Sequence, residues 1–157
     1  MSTSQQAQAD ELIETFSLFE EWEDRYRFLI DLGRELPAFD EEDKTDFNKV
    51  HGCQSNVWLV ATARNENGAP IVDFVADSDA HIVRGLIAVL RRLYAGKTAD
   101  EILHFDIEAF LKQLGLDQHL SLGRRNGLAG MVARVKQLAS EILSNQNKHS
   151  HAGVLPS

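Results

Sequence analysis

Apolar residues near the start of the chain recur three and four positions apart, a spacing that places them on one face of an α-helix. The pattern predicts two consecutive helices. Their apolar faces are Leu12, Ile13, Phe16 and Phe19, then Trp22, Tyr26, Leu29 and Ile30. Gly33 is predicted to end the second helix as its C′ residue, because glycine favours that position and Pro37 follows closely.

The spacing changes to that of β-strands in the middle of the chain. Residues 57–63 are rich in β-branched and aromatic types, and the following Asn67-Gly68 is a strong hairpin signal. Residues 71–76 alternate in a way that predicts the return strand with one inner face. Residues 47–52 alternate more weakly and are a candidate for a third, shorter strand.

Helical spacing returns after residue 80. Residues 77–79, Asp-Ser-Asp, are N-cap types ahead of an apolar stripe. Thr98 with Glu101 fits a capping box, and Asp106 is predicted to cap a short helix that ends at Gly115. A long last helix is predicted from the apolar positions Leu128, Met131, Val132, Val135, Leu138 and Ile142.

The order of elements predicts an α+β fold of two layers, in which N-terminal and C-terminal helices pack on a small three-stranded antiparallel sheet. Residues 1–144 are assigned to a single domain. Residues 145–157 are polar and without periodicity, so they are assigned to a disordered tail.

Composition and charge narrow the function. The 157 residues suit one domain, and 16 Lys plus Arg against 24 Asp plus Glu leave a net charge of −8. That balance argues against binding to nucleic acid or to an anionic membrane surface. No secretory signal and no apolar run of the ~20 residues that span a bilayer are visible, so a cytoplasmic location is expected.

The chain contains one cysteine, Cys53. One cysteine excludes an internal disulfide, and also a zinc or iron–sulfur site built mainly from this chain's thiolates, so no metal site is expected. Cys53 lies in Gly52-Cys53-Gln54-Ser55, just before the most apolar strand, and loops held on a rigid scaffold often carry function. An inert thiol, a reactive thiol and a thiol that pairs with another protein remain open.

Different chemistries place different demands on a single thiol. A cysteine hydrolase needs a histidine base and an oxyanion hole, and the candidates are His51, His81, His104 and His119, none of them in a recognisable nucleophile motif. A sulfur carrier needs only an accessible thiolate that attacks the outer sulfur of another protein's persulfide. The lone cysteine fits a sulfur carrier better than a dithiol oxidoreductase. A single-thiol redox or hydrolytic enzyme and a binding module with an incidental thiol are the alternatives.

An ordered set of motifs from about Leu12 to about Ile142 resembles the SufE family of sulfur-acceptor proteins, including its CsdE relatives. The motifs are Trp22-Glu23 with Tyr26, Leu32-Gly33, Leu36-Pro37, Gly52-Cys53-Gln54-Ser55, Val57-Trp58, Asp77-Ser78-Asp79-Ala80 with Ile82, Gly85-Leu86, Gln118-His119-Leu120, Arg124, Gly127-Leu128 and Met131. The resemblance implies a fold like that of SufE and IscU. An IscU-like scaffold needs several cysteine ligands, however, which this chain lacks.

The resemblance also implies a function. SufE-like proteins bind a PLP-dependent cysteine desulfurase of the SufS or CsdA type, take its persulfide sulfur on the loop cysteine and stimulate its turnover. The sulfur then passes to an iron–sulfur scaffold. By this resemblance Cys53 bears the persulfide, the chain is a carrier and activator rather than an enzyme, and PLP belongs to the partner, so the chain itself needs no cofactor.

Six further residues are candidates for the loop or the partner interface: Gly52, Gln54, Ser55, Asp79, His119 and Arg124. Gln54 and Ser55 are expected to fix the loop by hydrogen bonds or to stabilise the sulfur anion. For Asp79 the competing role is an N-cap of the helix that starts near Ala80. For His119 it is a hydrogen bond at a helix junction, and for Arg124 a surface ion pair.

Overall fold

The protein is described by a computed structural model that covers residues 5–51 and 55–154, with side chains described as far as residue 145. Gly52, Cys53 and Gln54 therefore lie outside the described residues. The elements in chain order are α1 (Gln5–Ser17), α2 (Trp22–Arg34), a 3₁₀ turn (Glu41–Asp43), β1 (Val57–Glu66), β2 (Ala69–Ser78), α3 (His81–Tyr94), β3 (Lys97–Thr98), α4 (Ala99–His104), α5 (Ile107–Leu114), α6 (Leu116–His119) and α7 (Leu122–Val154).

The predicted hairpin is confirmed and is longer than the apolar pattern indicated. Strands β1 and β2 are antiparallel, with register running from Val57 opposite Ser78 to Glu66 opposite Ala69. Asn67 and Gly68 form the two-residue turn with φ of 54° and 82°. Positive φ at both positions is typical of the hairpin turns whose twist matches that of the strands, and it explains the Asn-Gly pair.

The third strand is not where the alternation suggested. Strand β3 (Lys97–Thr98) pairs with Ile71 and Val72 and completes a sheet of order β1-β2-β3 in the described residues. The prediction of a strand over residues 47–52 is wrong for their described part, which makes only an isolated bridge, Lys49 to Trp58. The Asn48 carbonyl accepts from Leu59, but the Asn48 amide donates to the Thr45 carbonyl in a turn instead of returning a bond to Leu59, so the ladder stops there.

Helix α3 lies at the centre of the two-layer α+β fold. It packs against α1, α2, α4, α7 and β2, and its apolar residues are buried almost all round. One face of β2 supplies the sheet side of this core with Val72, Phe74 and Ala76. In α7, Leu128, Met131, Val132 and Val135 are buried as their spacing predicted, whereas Leu138 and Ile142 of the same stripe are partly buried. Within the described residues, no helix combines the length and hydropathy that a membrane span requires.

Local capping signals have mixed outcomes. The capping box of Thr98 with Glu101 is confirmed, and so are the Asp106 cap and the Gly115 end of α5. The N-cap prediction for residues 77–79 is wrong, because α3 begins at His81 after Ala80 with no side-chain cap. The carboxylates of 77–79 make other contacts. Helix α7 runs on to Val154, and the domain boundary after residue 144 stays a prediction.

Gly33 does not end α2, which continues through Arg34. Its role is to let two helices touch. A Cβ placed on Gly33 would lie 2.8 Å from the backbone nitrogen of Gly85, and one placed on Gly85 would lie 2.2 Å from the Leu29 carbonyl oxygen. Real Cβ atoms do not approach so closely, so α2 and α3 pack backbone to backbone and both positions require glycine.

We expect Gly85→Ala to lower the free energy of unfolding by about 3 kcal/mol or more, because the new methyl group would overlap backbone that cannot shift independently. Gly130→Ala is the matched control. It is also inside a helix, but its Cβ would meet its nearest neighbour at an ordinary 3.5 Å, so a gain of up to about 1 kcal/mol from helix propensity is expected. Urea unfolding of both variants checks this, and equal stabilities would contradict the close contact.

Tyr94 ends α3 with its side chain fully buried. Its ring meets Phe105 edge-on at 6.4 Å, while its hydroxyl has no hydrogen-bond partner among the described residues. Burial raises the pKa of this hydroxyl well above its usual range. A buried hydroxyl without a partner does not stabilise the fold.

We therefore expect Tyr94→Phe to be at least as stable as the parent at about pH 7. The unfolded tyrosine ionises near pH 10 whereas the folded one stays protonated, so the parent loses stability as the pH rises above about 10. The phenylalanine variant lacks this part of the alkaline loss. Urea midpoints at about pH 7 and pH 10.5 measure both effects, and a clearly weaker variant at neutral pH would show that the hydroxyl is bonded.

Candidate functional site

Residues 51–56, which contain Cys53 and which we call the thiol segment, connect the bridge at Lys49 to strand β1. The segment is closed at its base. The amide of Val50 donates to the Val57 carbonyl at 2.8 Å, and the amide of Leu59 donates to the Asn48 carbonyl at 2.9 Å. The two ends of the segment are thus held side by side. The candidates Gly52, Cys53 and Gln54 themselves lie outside the described residues.

Asp79 fastens the C-terminal end of the thiol segment. Its carboxylate accepts hydrogen bonds from the backbone amide of Asn56 at 3.1 Å and from the Asn56 side-chain amide at 2.9 Å. The Asp79 amide donates back to the Asn56 carbonyl at 3.4 Å. These bonds account for the absence of Asp79 from the N-cap of α3. Asn56 is a residue of the site that the sequence patterns did not single out.

A small, mainly apolar pocket adjoins the thiol segment. Its volume is about 10 Å³, close to the minimum for one water molecule. The pocket lies between the thiol segment, strand β1, helix α3 and the first turns of α7. The lining residues are Ser55, Val57, Val83, Leu86, Gly123, Arg124, Gly127, Leu128 and Met131. Two of the sequence candidates, Ser55 and Arg124, therefore lie around one pocket.

Arg124 belongs to the exposed first turn of α7. The backbone amide of Arg124 donates a hydrogen bond to the Ser121 hydroxyl at 3.3 Å, which fixes the backbone of this turn. Among the described residues, the guanidinium forms no salt bridge within 4.0 Å, so the surface ion pair considered from the sequence is not found there. Arg124 thus lines the pocket without an ion pair among the described residues.

His119 sits at the junction of α6 and α7. Its imidazole stacks on the indole of Trp22, with ring centroids 3.9 Å apart and an interplanar angle of 13°. The hydroxyl of Tyr26 donates to the His119 carbonyl. Gly115 completes the contact, since a Cβ there would lie 2.8 Å from Trp22 Cζ2. The described contacts of His119 thus join the start of α2 to the chain that enters α7, and Arg124 follows five residues later.

A second polar cluster supports the same end of the sheet and was missed by the sequence patterns. Lys44 Nζ lies 2.8 Å from Glu41, 3.4 Å from Asp77 and 5.2 Å from the Trp58 ring centre. Hydrogen bonding to Glu41, followed by that to Asp77, raises the pKa of Lys44. Asp77 also pairs with Arg84 of α3 at 3.1 Å. The only local signal was the spacing of Glu41 and Lys44.

Two of the four histidines considered as a base for Cys53 have contacts elsewhere in the described structure. His104 Nδ1 lies 2.8 Å from the Asp100 carbonyl, and His119 is stacked on Trp22. His51 is exposed within the thiol segment. Among the described side chains, no three histidine, cysteine or acidic groups converge as a metal site would require.

Comparison with known proteins gives a consistent family. The family model described as SufE, an Fe-S metabolism associated domain, matches residues 10–139. An uncharacterized SufE-like protein of Rhizobium meliloti (strain 1021) is 45% identical over 130 residues, which are 83% of this chain and 93% of that protein. One from Rhizobium etli is 46% identical over 133 residues, covering 85% of this chain and 90% of that protein.

A solved structure shares the fold. The solution structure of a hypothetical protein from Thermus thermophilus matches with a TM-score of 0.68 and 20% sequence identity. The match covers 87% of this chain and 96% of that one. At this identity the likeness concerns the fold alone.

We expect Asp79→Ala to loosen the thiol segment without unfolding the protein. Both side-chain bonds to Asn56 are lost, so the Asn56 amide should exchange with solvent about tenfold faster, and stability should fall by about 1 kcal/mol. Asp46→Ala is the control, since it removes an exposed carboxylate while leaving the backbone bond from Lys49 to the Asp46 carbonyl. Hydrogen exchange measured by NMR decides, and unchanged protection of Asn56 would contradict the clamp.

Proposed function

The chain belongs to the SufE family, and from this premise we propose that it takes sulfur onto Cys53 from a cysteine desulfurase and hands it on for iron–sulfur cluster assembly. Family membership associates the chain with iron–sulfur metabolism. The proposed partners are a desulfurase of the SufS or CsdA type and a downstream iron–sulfur scaffold. PLP is the cofactor of the desulfurase, and the chain acts as a carrier and activator rather than as an enzyme.

The transfer is an exchange at sulfur. The Cys53 thiolate attacks the outer sulfur of the desulfurase persulfide, so that a new S–S bond forms on Cys53. The S–S bond of the desulfurase breaks, and its cysteine leaves as a thiolate. The proton that Cys53 gives up on becoming a thiolate is balanced by the one that the departing thiolate takes up. No electrons are gained or lost overall, hence neither a metal nor a second cysteine is needed.

The observation that carries the proposal is the way in which the structure holds the segment around Cys53. Its base is closed by the Val50–Val57 bond and its C-terminal end is clamped by Asp79. The three residues from Gly52 to Gln54 span the interval between His51 and Ser55. A short segment held at both ends can present one thiol while its tip adapts to a partner.

The surroundings suit a sulfur anion. The pocket beside Ser55 is lined by apolar residues of α3 and α7, and Arg124 is also one of its lining residues. A nearby cation favours a thiolate, and an apolar shelter limits over-oxidation of a thiol meant for one partner. We propose that the free Cys53 side chain shelters against this pocket and is released when the desulfurase docks.

The alternative functions have weaker support. A hydrolytic enzyme needs a histidine base, and two of the candidates, His104 and His119, are occupied by other contacts. A redox enzyme of the dithiol kind needs a second cysteine, which the sequence lacks. A binding module with an incidental thiol does not explain why a short segment around the single cysteine is closed and clamped.

We expect the chain, mixed with a SufS-type desulfurase, PLP and free cysteine, to gain one sulfur atom on Cys53 that a reductant removes. It should also raise the rate of alanine production, since removal of the persulfide frees the desulfurase for another turnover. Cys53→Ser should abolish both effects while still binding the desulfurase. Intact-protein mass and alanine release are the measurements.

Two outcomes would contradict this function. Stimulation that the Cys53→Ser variant retains in full would show that transfer is not the cause. Stimulation without any sulfur gain by the parent chain would point to an allosteric activator.

A further inference from the structure

Three large hydrophobic side chains are strongly exposed in the described part of the chain: Leu18 at 76%, Phe47 at 86% and Leu122 at 66%. Exposed apolar residues that occur singly are common and need no explanation. Two of these three, however, lie close to the thiol segment: Phe47 is four residues before His51, and Leu122 directly precedes Gly123, which lines the pocket that Ser55 also lines. Leu18 belongs to the connection between α1 and α2, which contributes nothing to the pocket beside Ser55.

Phe47 is exposed although the backbone that carries it is firmly held. The next residue, Asn48, bonds through its amide to the Thr45 carbonyl and through its side chain to the Asp43 carbonyl. The Asn48 carbonyl accepts from Leu59 of β1, and Val50 pairs with Val57 at the base of the thiol segment. The ring is therefore presented to solvent from a rigid turn, which lowers the entropic cost of burying it against a partner.

Leu122 also lies on backbone that is held in place. It is the first residue of α7, whose opening turn is held by Ser121 through the amides of Arg124 and Arg125. Gly123 and Arg124, directly after it, line the pocket that Ser55 also lines. Both apolar side chains thus lie on fixed backbone next to the segment that contains Cys53.

The charges beside the two residues have opposite signs. Near Phe47 the acidic turn, which we define as Asp40, Glu41, Glu42 and Asp46, is exposed. The adjacent Lys44 pairs with Glu41 and Asp77, which leaves the carboxylates of Asp40, Glu42 and Asp46 without an ion pair among the described residues. Next to Leu122 stand Arg124 and Arg125, both exposed, which we call the arginine pair. The charge beside Phe47 is therefore acidic, whereas the charge beside Leu122 is basic.

We propose that Phe47 and Leu122 are the apolar anchors of the surface that docks onto the cysteine desulfurase, with the acidic turn and the arginine pair setting the orientation. The inference rests on the proposed function. The occupant is a protein surface with two apolar recesses, flanked by basic groups opposite Phe47 and by acidic groups opposite Leu122. Only one orientation of such a partner matches both charges.

The choice of the desulfurase follows from the transfer chemistry. Its persulfide must reach Cys53, so its surface has to cover the residues on both sides of the thiol segment. A few aromatic or aliphatic side chains that fill pockets of the partner, with a polar rim around them, supply much of the affinity of an interface. Leu18 shares the exposure of the anchors but not their position, which makes it a matched control.

The test measures the desulfurase activity, with its PLP bound, as a function of the concentration of the chain. We expect Phe47→Ser to raise the half-saturating concentration about tenfold and Leu122→Ser about fivefold, with the maximal rate unchanged, since burial of each side chain is lost on docking. Leu18→Ser should leave the curve as it is. Calorimetric binding to the holo-desulfurase, with each chain also carrying Cys53→Ser, should show the same ratios.

Charge reversal tests the orientation. Glu42→Lys places a cation in the acidic turn at a side chain with no described bond, and should weaken binding severalfold at low salt and much less at high salt. Urea unfolding of every variant should match the parent chain, because all these side chains are exposed.

The outcomes separate the two proposals. If the parent chain neither binds nor stimulates the desulfurase, the proposed function fails and the anchors fail with it. If the parent stimulates but Phe47→Ser and Leu122→Ser do so at the same concentrations, the function stands and the anchors are wrong. Loss of sulfur delivery to the iron–sulfur scaffold with normal desulfurase binding would assign this surface to the recipient and also overturn the proposal.

Discussion

The contact between α2 and α3 at Gly33 and Gly85 is the constraint on which the remaining structure depends. With no side chain on either residue, the two helices approach backbone to backbone, and Leu29 lies against Gly85. This contact fixes the distance between α2 and α3. From that position the apolar residues of α3 pack against the sheet, α1 and α7. A wider spacing of these helices would open the core at its centre, where packing is tightest and least able to adjust.

The position of α3 carries through to the thiol segment. Strand β2 ends at Ser78 and α3 begins at His81, so the two residues between them are positioned by both elements. Asp79 is one of these residues, and its bonds to Asn56 transmit that placement to the segment. Trp22 and Tyr26 contact His119, so the start of α2 is joined to the chain that enters α7. Arg124, five residues after His119, lines the pocket beside Ser55. Glycine packing and two polar contacts thus position one short segment.

Such an arrangement suits a protein that exchanges a single atom with a partner. The backbone at both ends of the segment is held by hydrogen bonds. The pocket beside Ser55 has room for little more than one water molecule. The acidic turn and the arginine pair differ in sign, which under the proposed function would orient a docking protein. In that proposal, chemistry at Cys53 and recognition around it are supplied by different residues.

The sequence by itself determined the features that local forces govern. The hairpin followed from the Asn67-Gly68 turn, the box of Thr98 with Glu101 from four consecutive residues, and the helical stripes from one repeating period. The ordered set of motifs from about Leu12 to about Ile142, with the single Cys53 among them, was sufficient to indicate the family. Tertiary structure decided the remaining features, because each of them depends on residues distant in the chain. Gly33 packs against Gly85, and Asp79 bonds to Asn56 instead of capping α3. The third strand forms at Lys97–Thr98 by pairing with β2, and two residues are too few to show an alternating pattern.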